Sequence, residues 1–393
     1  MGIFSKSKEK DELILVFNIG SSFVGGAFFH AQKFGVPKII FSVEEPIRLE
    51  EKVDIDRLLF QTIQALEIVV NKVYMAGMGA PSRIFCILSS PWYVSQIRII
   101  SLKKNTSFLF TTKLADNLIQ KEVNLFKEQH VDSSFRIIEM KNIKTTLNGY
   151  DTSSPLNKKV KELEMVVFVS MGGEEVLTKI ENTIGKCFHS DLIKFSSFAL
   201  ASFAVVRDIH AQQENFLLID VGGEITDIFM AKKSALRESA TFPYGRNFFI
   251  RGIASSLRST FSEASSLFSL FKDGHAEKSV VRKLIPIINQ LKAKWLKQLE
   301  ESLAHISNDV SIPSTIYLAT DKENADFFSK IIEIEQFSQY SLTESKFKII
   351  LLNTQTLHGV TIFEEGVNRE PFLIINSIYI NHFLINSAMA GRV

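Results

Sequence analysis

The sequence predicts a two-lobed α/β protein carrying a smaller α+β insert, and three observations predict it. Its 393 residues exceed what one ordinary hydrophobic core encloses, so two lobes are expected. Two apolar strands, 13–17 and 215–220, each run into a loop containing glycine, and the recurrence of that unit points to an internal duplication. Between them, residues 92–180 switch to a strand–helix–strand–strand pattern, which predicts a compact insert with its own core.

Each element follows from its local pattern. After the strand 13–17 come two more, 23–31 and 38–44, separated by the turn Gly35-Val36-Pro37. From 54 to 75 the apolar positions Ile55, Leu58, Leu59, Ile63, Leu66, Val70 and Val73 recur at helical spacing. A loop at 75–82 leads to a buried-type strand, 84–89. The insert reads as strand 93–102, helix 111–129, strand 136–147, a polar turn 148–157 and strand 160–170, followed by a helix at 174–184. Residues 195–206 are apolar and small, as in a closely packed helix. Helices are expected at 247–261, 264–271 and 278–306, the last with a kink at Pro286. Strand 315–319, helix 323–334, strand 347–352 and a closing helix from Phe372 complete the chain.

Composition narrows the function classes. With 45 basic and 43 acidic residues the formal charge is +2, which gives no reason to expect nucleic acid as the main partner. Cys86 and Cys187 are too few and too far apart for a disulfide framework or a zinc site, and read as buried free thiols in a reducing cytosol. The opening residues lack the long apolar run of a signal peptide, and position 6 is Lys6 where a myristoylation signal needs Ser or Thr. Apolar runs elsewhere are strand-length, far below what spans a bilayer. The expected location is cytoplasmic, peripheral to the membrane at most. Phe4 with Lys6, Lys8 and Lys10 reads as a solvated terminus, and 372–389, followed only by Arg392, as a core helix rather than a cationic membrane helix.

The chemistry concentrates in the two loops. A glycine loop after a buried strand presents backbone N–H groups that can cradle phosphate oxygens. The loops here are Asn18-Ile19-Gly20-Ser21-Ser22 and Asp220-Val221-Gly222-Gly223-Glu224-Ile225-Thr226-Asp227. The pair resembles the phosphate loops of the actin, heat-shock ATPase and sugar-kinase superfamily. Within it, Asp220–Asp227 with Ala235-Leu236-Arg237 and Phe242-Pro243-Tyr244-Gly245 is similar to the bacterial actin homologue FtsA. Phe198-Ala199-Leu200-Ala201-Ser202-Phe203-Ala204 resembles the helix joining the lobes, and Leu147-Asn148-Gly149-Tyr150 through Ser154-Pro155 resembles the FtsA insert. PilM, of pilus assembly, shares this architecture.

The resemblance implies a two-lobed actin-like ATPase fold divided as 13–91 (first lobe), 92–180 (insert), 181–212 (connecting helices), 213–245 (second lobe), 246–310 (helical subdomain) and 311–393 (second lobe). It implies ATP contacts from Asn18, Gly20, Ser21, Ser22, Asp220, Gly222, Gly223, Thr226 and Ala319, with Asp220 serving Mg; no residue is assigned a catalytic role. Three positions depart from the family pattern. Asn18 stands where an Asp serves magnesium, Glu224 replaces a glycine and is expected to oppose phosphates unless a cation intervenes, and Leu318-Ala319-Thr320-Asp321 replaces the glycines of the adenosine motif. The expectation is a cell-division scaffold with a degenerate cleft and weak or absent hydrolysis. The alternatives are a PilM-like pilus adaptor and an active ATPase or kinase. Implied partners are proteins: an FtsZ-like tubulin homologue, the cytoplasmic tail of a membrane protein, or further copies of the chain.

Overall fold

The structure is a computed structural model that describes residues 12–385 apart from 34, 129–133, 153, 308–310 and 335–346. The expectations for Phe4 to Lys10 and for Met389 and Arg392 lie outside the described residues. Two sheets are built on the same plan. In the first, strand β1 (Glu12–Ile19) lies between β2 (Phe23–Ala31), antiparallel, and β4 (Arg83–Leu88), parallel. The order is completed by β3 (Lys38–Pro46) beyond β2, by β15 (Ile362–Phe363) beyond β3, and by β9 (Ile193–Ser197) beyond β4.

The second sheet repeats the arrangement. Strand β10 (Phe216–Val221) has the antiparallel hairpin β11 (Thr226–Lys232) and β12 (Ala235–Phe242) on one side. On its other side lie the parallel strands β13 (Thr315–Thr320) and β14 (Lys348–Leu351). Every residue of β10 and of β13 is buried, as their unbroken apolar runs require of strands covered on both faces. The third sheet, ordered β5-β8-β6-β7, is wholly antiparallel: β5 (Tyr93–Leu109), β6 (Phe135–Leu147), β7 (Tyr150–Asp151) and β8 (Lys159–Gly173). Helix α2 (Thr112–Glu128) closes its core through Ala115, Ile119, Val123 and Phe126. This is the two-lobed, mixed α/β actin-like ATPase fold.

Helix α1 (Ile55–Met75) starts at Asp54, whose carboxylate accepts from the Arg57 amide, and buries Leu58, Leu66, Val69 and Val73 against the first sheet with α3 (Glu174–Gly185) beside it. On the opposite face, α4 (Phe198–Ile209) and α9 (Pro371–Tyr379) pack together, and α9 touches β1, β2 and β13. All nine residues of α9 are buried, so it is a core helix that joins the two sheets. The second sheet is covered by α5 (Arg246–Leu257), α6 (Phe261–Lys272), α7 (Lys278–Ser307) and α8 (Ala325–Ile334) around Trp295, Phe249, Phe268 and Phe328.

Two local expectations change. The helix expected at 195–206 begins only at Phe198, because Ile193–Ser197 pair in parallel with Ile84–Leu88 and Ser197 then caps α4 through its hydroxyl. A waiting strand partner overrides local helix propensity there. The strand expected at 93–102 continues to Leu109, its pairing with β8 interrupted between Lys103 and Phe108.

Candidate functional site

The two glycine loops meet face to face where the lobes adjoin. In the first, the Gly20 amide donates to the Phe23 carbonyl (3.2 Å), and the indole of Trp92 donates to the Gly20 carbonyl (2.8 Å). The Ser22 carbonyl accepts from the Ile47 amide at 2.9 Å. Each end of the loop is therefore anchored in its own lobe. The Ser21 hydroxyl projects across and accepts from the amides of Gly223 and Glu224, both at 3.1 Å.

Those two amides are the donors that a phosphate would require. Gly223 lies so close to the first loop that a Cβ on it would stand 2.5 Å from the Ser21 carbonyl oxygen. No side chain larger than hydrogen fits between the loops.

The second loop is equally committed behind this contact. Its Gly222 amide donates to the Ile225 carbonyl (2.9 Å). Its carbonyls at Gly222, Gly223 and Glu224 accept from the amides of Arg246, Asn247 and Gly245 at 2.9, 2.8 and 3.0 Å. Those donors open helix α5, where unpaired amides would otherwise attract an anion. The Thr226 hydroxyl donates to the Tyr244 carbonyl (2.8 Å) instead of pointing into the cleft.

Glu224 does not face the phosphate position. Arg251 meets its carboxylate with two parallel hydrogen bonds of 2.6 and 2.8 Å, and the Asn247 amide adds a third at 2.7 Å. The same guanidinium donates through Nε to the Glu50 carbonyl (2.8 Å), tying the second lobe to the first. The cation that the expectation for Glu224 left room for is therefore Arg251 of helix α5, which supplies the countercharge. Asn247 and Arg251 are four residues apart on one helix face, a spacing the sequence already displayed.

The remaining site residues lie in the floor. Asn18 accepts from Asn376 of α9 (3.1 Å), while its own Nδ2 has no hydrogen-bond partner. Ala319 pairs with Asp220 in the sheet and is buried, and the Thr320 hydroxyl donates to the Val221 carbonyl (3.1 Å). Asp220 is buried, and its Oδ1 likewise has no partner. Burial pushes its carboxyl well above the usual range, reinforced by Asp227 and Glu370. Burial also raises Asp227, which sits opposite Asp220 in the hairpin, against the hydrogen bond that Thr241 donates at 2.6 Å. Glu370, the cap of α9, is pushed up to about 8, chiefly by burial, with Glu44 and Asp321 adding to it.

With Ser21 on the loop amides and Asn18 turned to α9, the residues as placed do not fit a nucleoside triphosphate with its metal. Among the described residues no group of three or more His, Cys, Asp or Glu could hold a metal ion.

A second buried centre lay outside sequence reasoning. Glu139 of β6 accepts from the hydroxyls of Ser197 (2.7 Å), Tyr379 (2.9 Å) and Ser196, and from the Ser197 amide (3.2 Å). It therefore ties the third sheet to β9, α4 and α9 by one carboxyl. Nothing in its neighbours Ile138 and Met140 marks it locally. Of the two thiols, Cys86 is buried as expected, whereas Cys187 is partly exposed just beyond α3.

Duplicated sheets, paired glycine loops between them and an inserted third sheet define the class as an actin-like ATPase fold. Among solved structures, a PilM–PilN type IV pilus biogenesis complex is similar over 93% of this chain and 97% of that one, with a TM-score of 0.61 and 11% identity. The ethanolamine utilization protein EutJ from Carboxydothermus hydrogenoformans aligns over 94% and 89%, at a TM-score of 0.41 and 10% identity. A Bacteroides thetaiotaomicron protein with an actin-like ATPase fold and unknown function aligns over 96% and 98%, at 0.36 and 10%. No protein-family model matches the chain, and no curated protein does.

Proposed function

We propose that this chain is a PilM-like adaptor of type IV pilus assembly, working at the cytoplasmic face of the membrane and holding the cytoplasmic tail of a membrane protein. The observation that carries the reading is the Ser21 hydroxyl seated on the Gly223 and Glu224 amides. It makes the cleft a brace between lobes rather than a nucleotide site, so function rests on the outer protein surfaces. Similarity to the PilM–PilN complex over nearly the whole chain supports the choice of machine. The division into lobes, insert at 92–180 and helical subdomain at 246–310 is part of the same proposal. A division scaffold rests on the loop and hairpin residues that resemble FtsA, and no separate feature of the structure favours it. An ATPase or kinase is disfavoured by the misfit of the cleft.

The test is binding of fluorescent peptides to the purified chain, followed by anisotropy with and without Mg-ATP. The peptides are cytoplasmic tails of pilus inner-membrane proteins and the C-terminal tail of an FtsZ-type tubulin homologue. A pilus tail is expected to bind at micromolar concentration, unchanged by nucleotide up to about 1 mM. Binding of the tubulin-homologue tail alone would transfer the chain to division, and ATP-dependent binding would restore the cleft as a switch.

A further inference from the structure

The third sheet ends in a tip whose charge the fold does not balance. The insert leaves the first lobe at Tyr93 and Gly173, and its strands run to the opposite end, where 102–109, 147–151 and 155–163 come together. Lys161 marks the centre. On one side the ladder between β5 and β8 passes from Lys103 opposite Glu162 to Phe108 opposite Val160. The four residues 104–107 therefore stand where the ladder has room for one, and all four are exposed. On the other side Asn148 Oδ1 accepts from the amides of Lys161 (2.9 Å) and Glu162 (3.0 Å), which holds the turn Asn148-Gly149 against the same strand. We infer that this tip is a lipid-contacting surface, whose partner is the anionic headgroups of a phospholipid bilayer.

Three observations favour this partner. The two carboxylates within these segments are already matched, Glu162 by Lys103 and Asp151 by Lys144 at 2.7 Å. Lys104, Lys158, Lys159 and Lys161 are left in excess, all exposed, as a surface that meets negative charge requires. Second, apolar side chains stand among these cations: Tyr150 is 78% exposed, Leu109 46% and Leu156 39%. Tyrosine settles at headgroup level with its ring toward the acyl chains, and leucine adds a little buried area beside it. Third, every cation in these segments is a lysine and none is an arginine. Interfaces with proteins are enriched in arginine and depleted in lysine, whereas a lysine cluster suits the loose, multiple contacts of a lipid surface. This contact goes beyond the adaptor reading, because it needs no tail-bearing protein and holds whichever tail the chain binds.

The test is co-sedimentation of the full chain with protein-free vesicles, so that its outcome is separate from that of any peptide tail. The chain is expected to bind phosphatidylcholine vesicles containing about 30% phosphatidylglycerol and not pure phosphatidylcholine. Raising the salt from about 0.05 to 0.3 M should weaken the binding. Lys159→Ala and Lys161→Ala should each lower the partition coefficient about fivefold. Lys294→Ala and Lys297→Ala, at exposed positions of α7, should leave it unchanged. Tyr150→Trp adds a readout of depth: its emission should be quenched by brominated lipid chains, whereas the buried Trp92 and Trp295 of the parent are not. No binding to the anionic vesicles, equal losses from both lysine pairs, or no quenching would each overturn the proposal. Binding of a polyglutamate peptide without binding to the vesicles would also overturn it and would assign the tip to an acidic protein segment.

Discussion

Glu370 shows how one side chain can serve two structural ends. Its Oε2 accepts from the Leu373 amide (2.9 Å) and so opens α9, yet its burial beside Glu44 and Asp321 opposes ionisation. The folded acid keeps its proton up to about pH 8, whereas the unfolded one ionises near 4.5. Between those values the folded state binds the extra proton, so stability falls as pH rises through the window and levels off above it. Asp220, Asp227 and Glu139 are raised as well and steepen the same slope. Glu370→Gln keeps an acceptor for the Leu373 amide but has no proton to lose. Urea midpoints should show the variant close to the parent at about pH 5 and more stable by on the order of 2–4 kcal/mol at about pH 9. An unchanged slope would mean that Glu370 ionises freely in the fold.

Between elements, the contact of the two loops depends on an absent side chain. A Cβ on Gly223 would meet the backbone of Ser21 and Ser22 at 2.5 and 2.7 Å, and backbone cannot rotate away as a side-chain tip does. Gly223→Ala is expected to force the loops apart, remove both hydrogen bonds to Ser21 and destabilise the chain by about 1–3 kcal/mol. Hydrogen exchange at 20–23 and 222–225 should accelerate while β10 itself stays protected. The loops were legible in the sequence because each follows an unbroken apolar strand. Their closure on one another was not, since Ser21 and Gly223 lie 202 positions apart. The boundary at Phe198 was missed for a related reason, because β4 supplies a pairing edge that no local window contains.

At the scale of the molecule, the duplicated plan was visible in two strand–loop units, and the observed sheets share five strands in the same arrangement, β15 being an addition to the first. What joins the parts was hidden. Arg251 bridges the lobes through Glu50, and Glu139 fastens the third sheet to β9 and α9 through residues 57 and 240 positions away. Glu139→Ala would leave buried hydroxyls of Ser196, Ser197 and Tyr379 without their acceptor, a loss of about 2–4 kcal/mol. The third sheet should then open before the lobes, giving two transitions in urea where the parent has one. A single transition at a lower midpoint would show instead that the sheet unfolds only with the lobes.

The chain has two tryptophans, and each indole is hydrogen-bonded to the backbone at one of the loops. Trp92 donates to the Gly20 carbonyl of the first lobe, and Trp295 donates to the Tyr244 carbonyl behind the second. Both rings are buried, so each emits from an apolar setting that changes when its loop moves. The molecule thus carries an intrinsic fluorophore for each half of its cleft, and replacing either one leaves a chain whose emission reads out a single lobe without any added label.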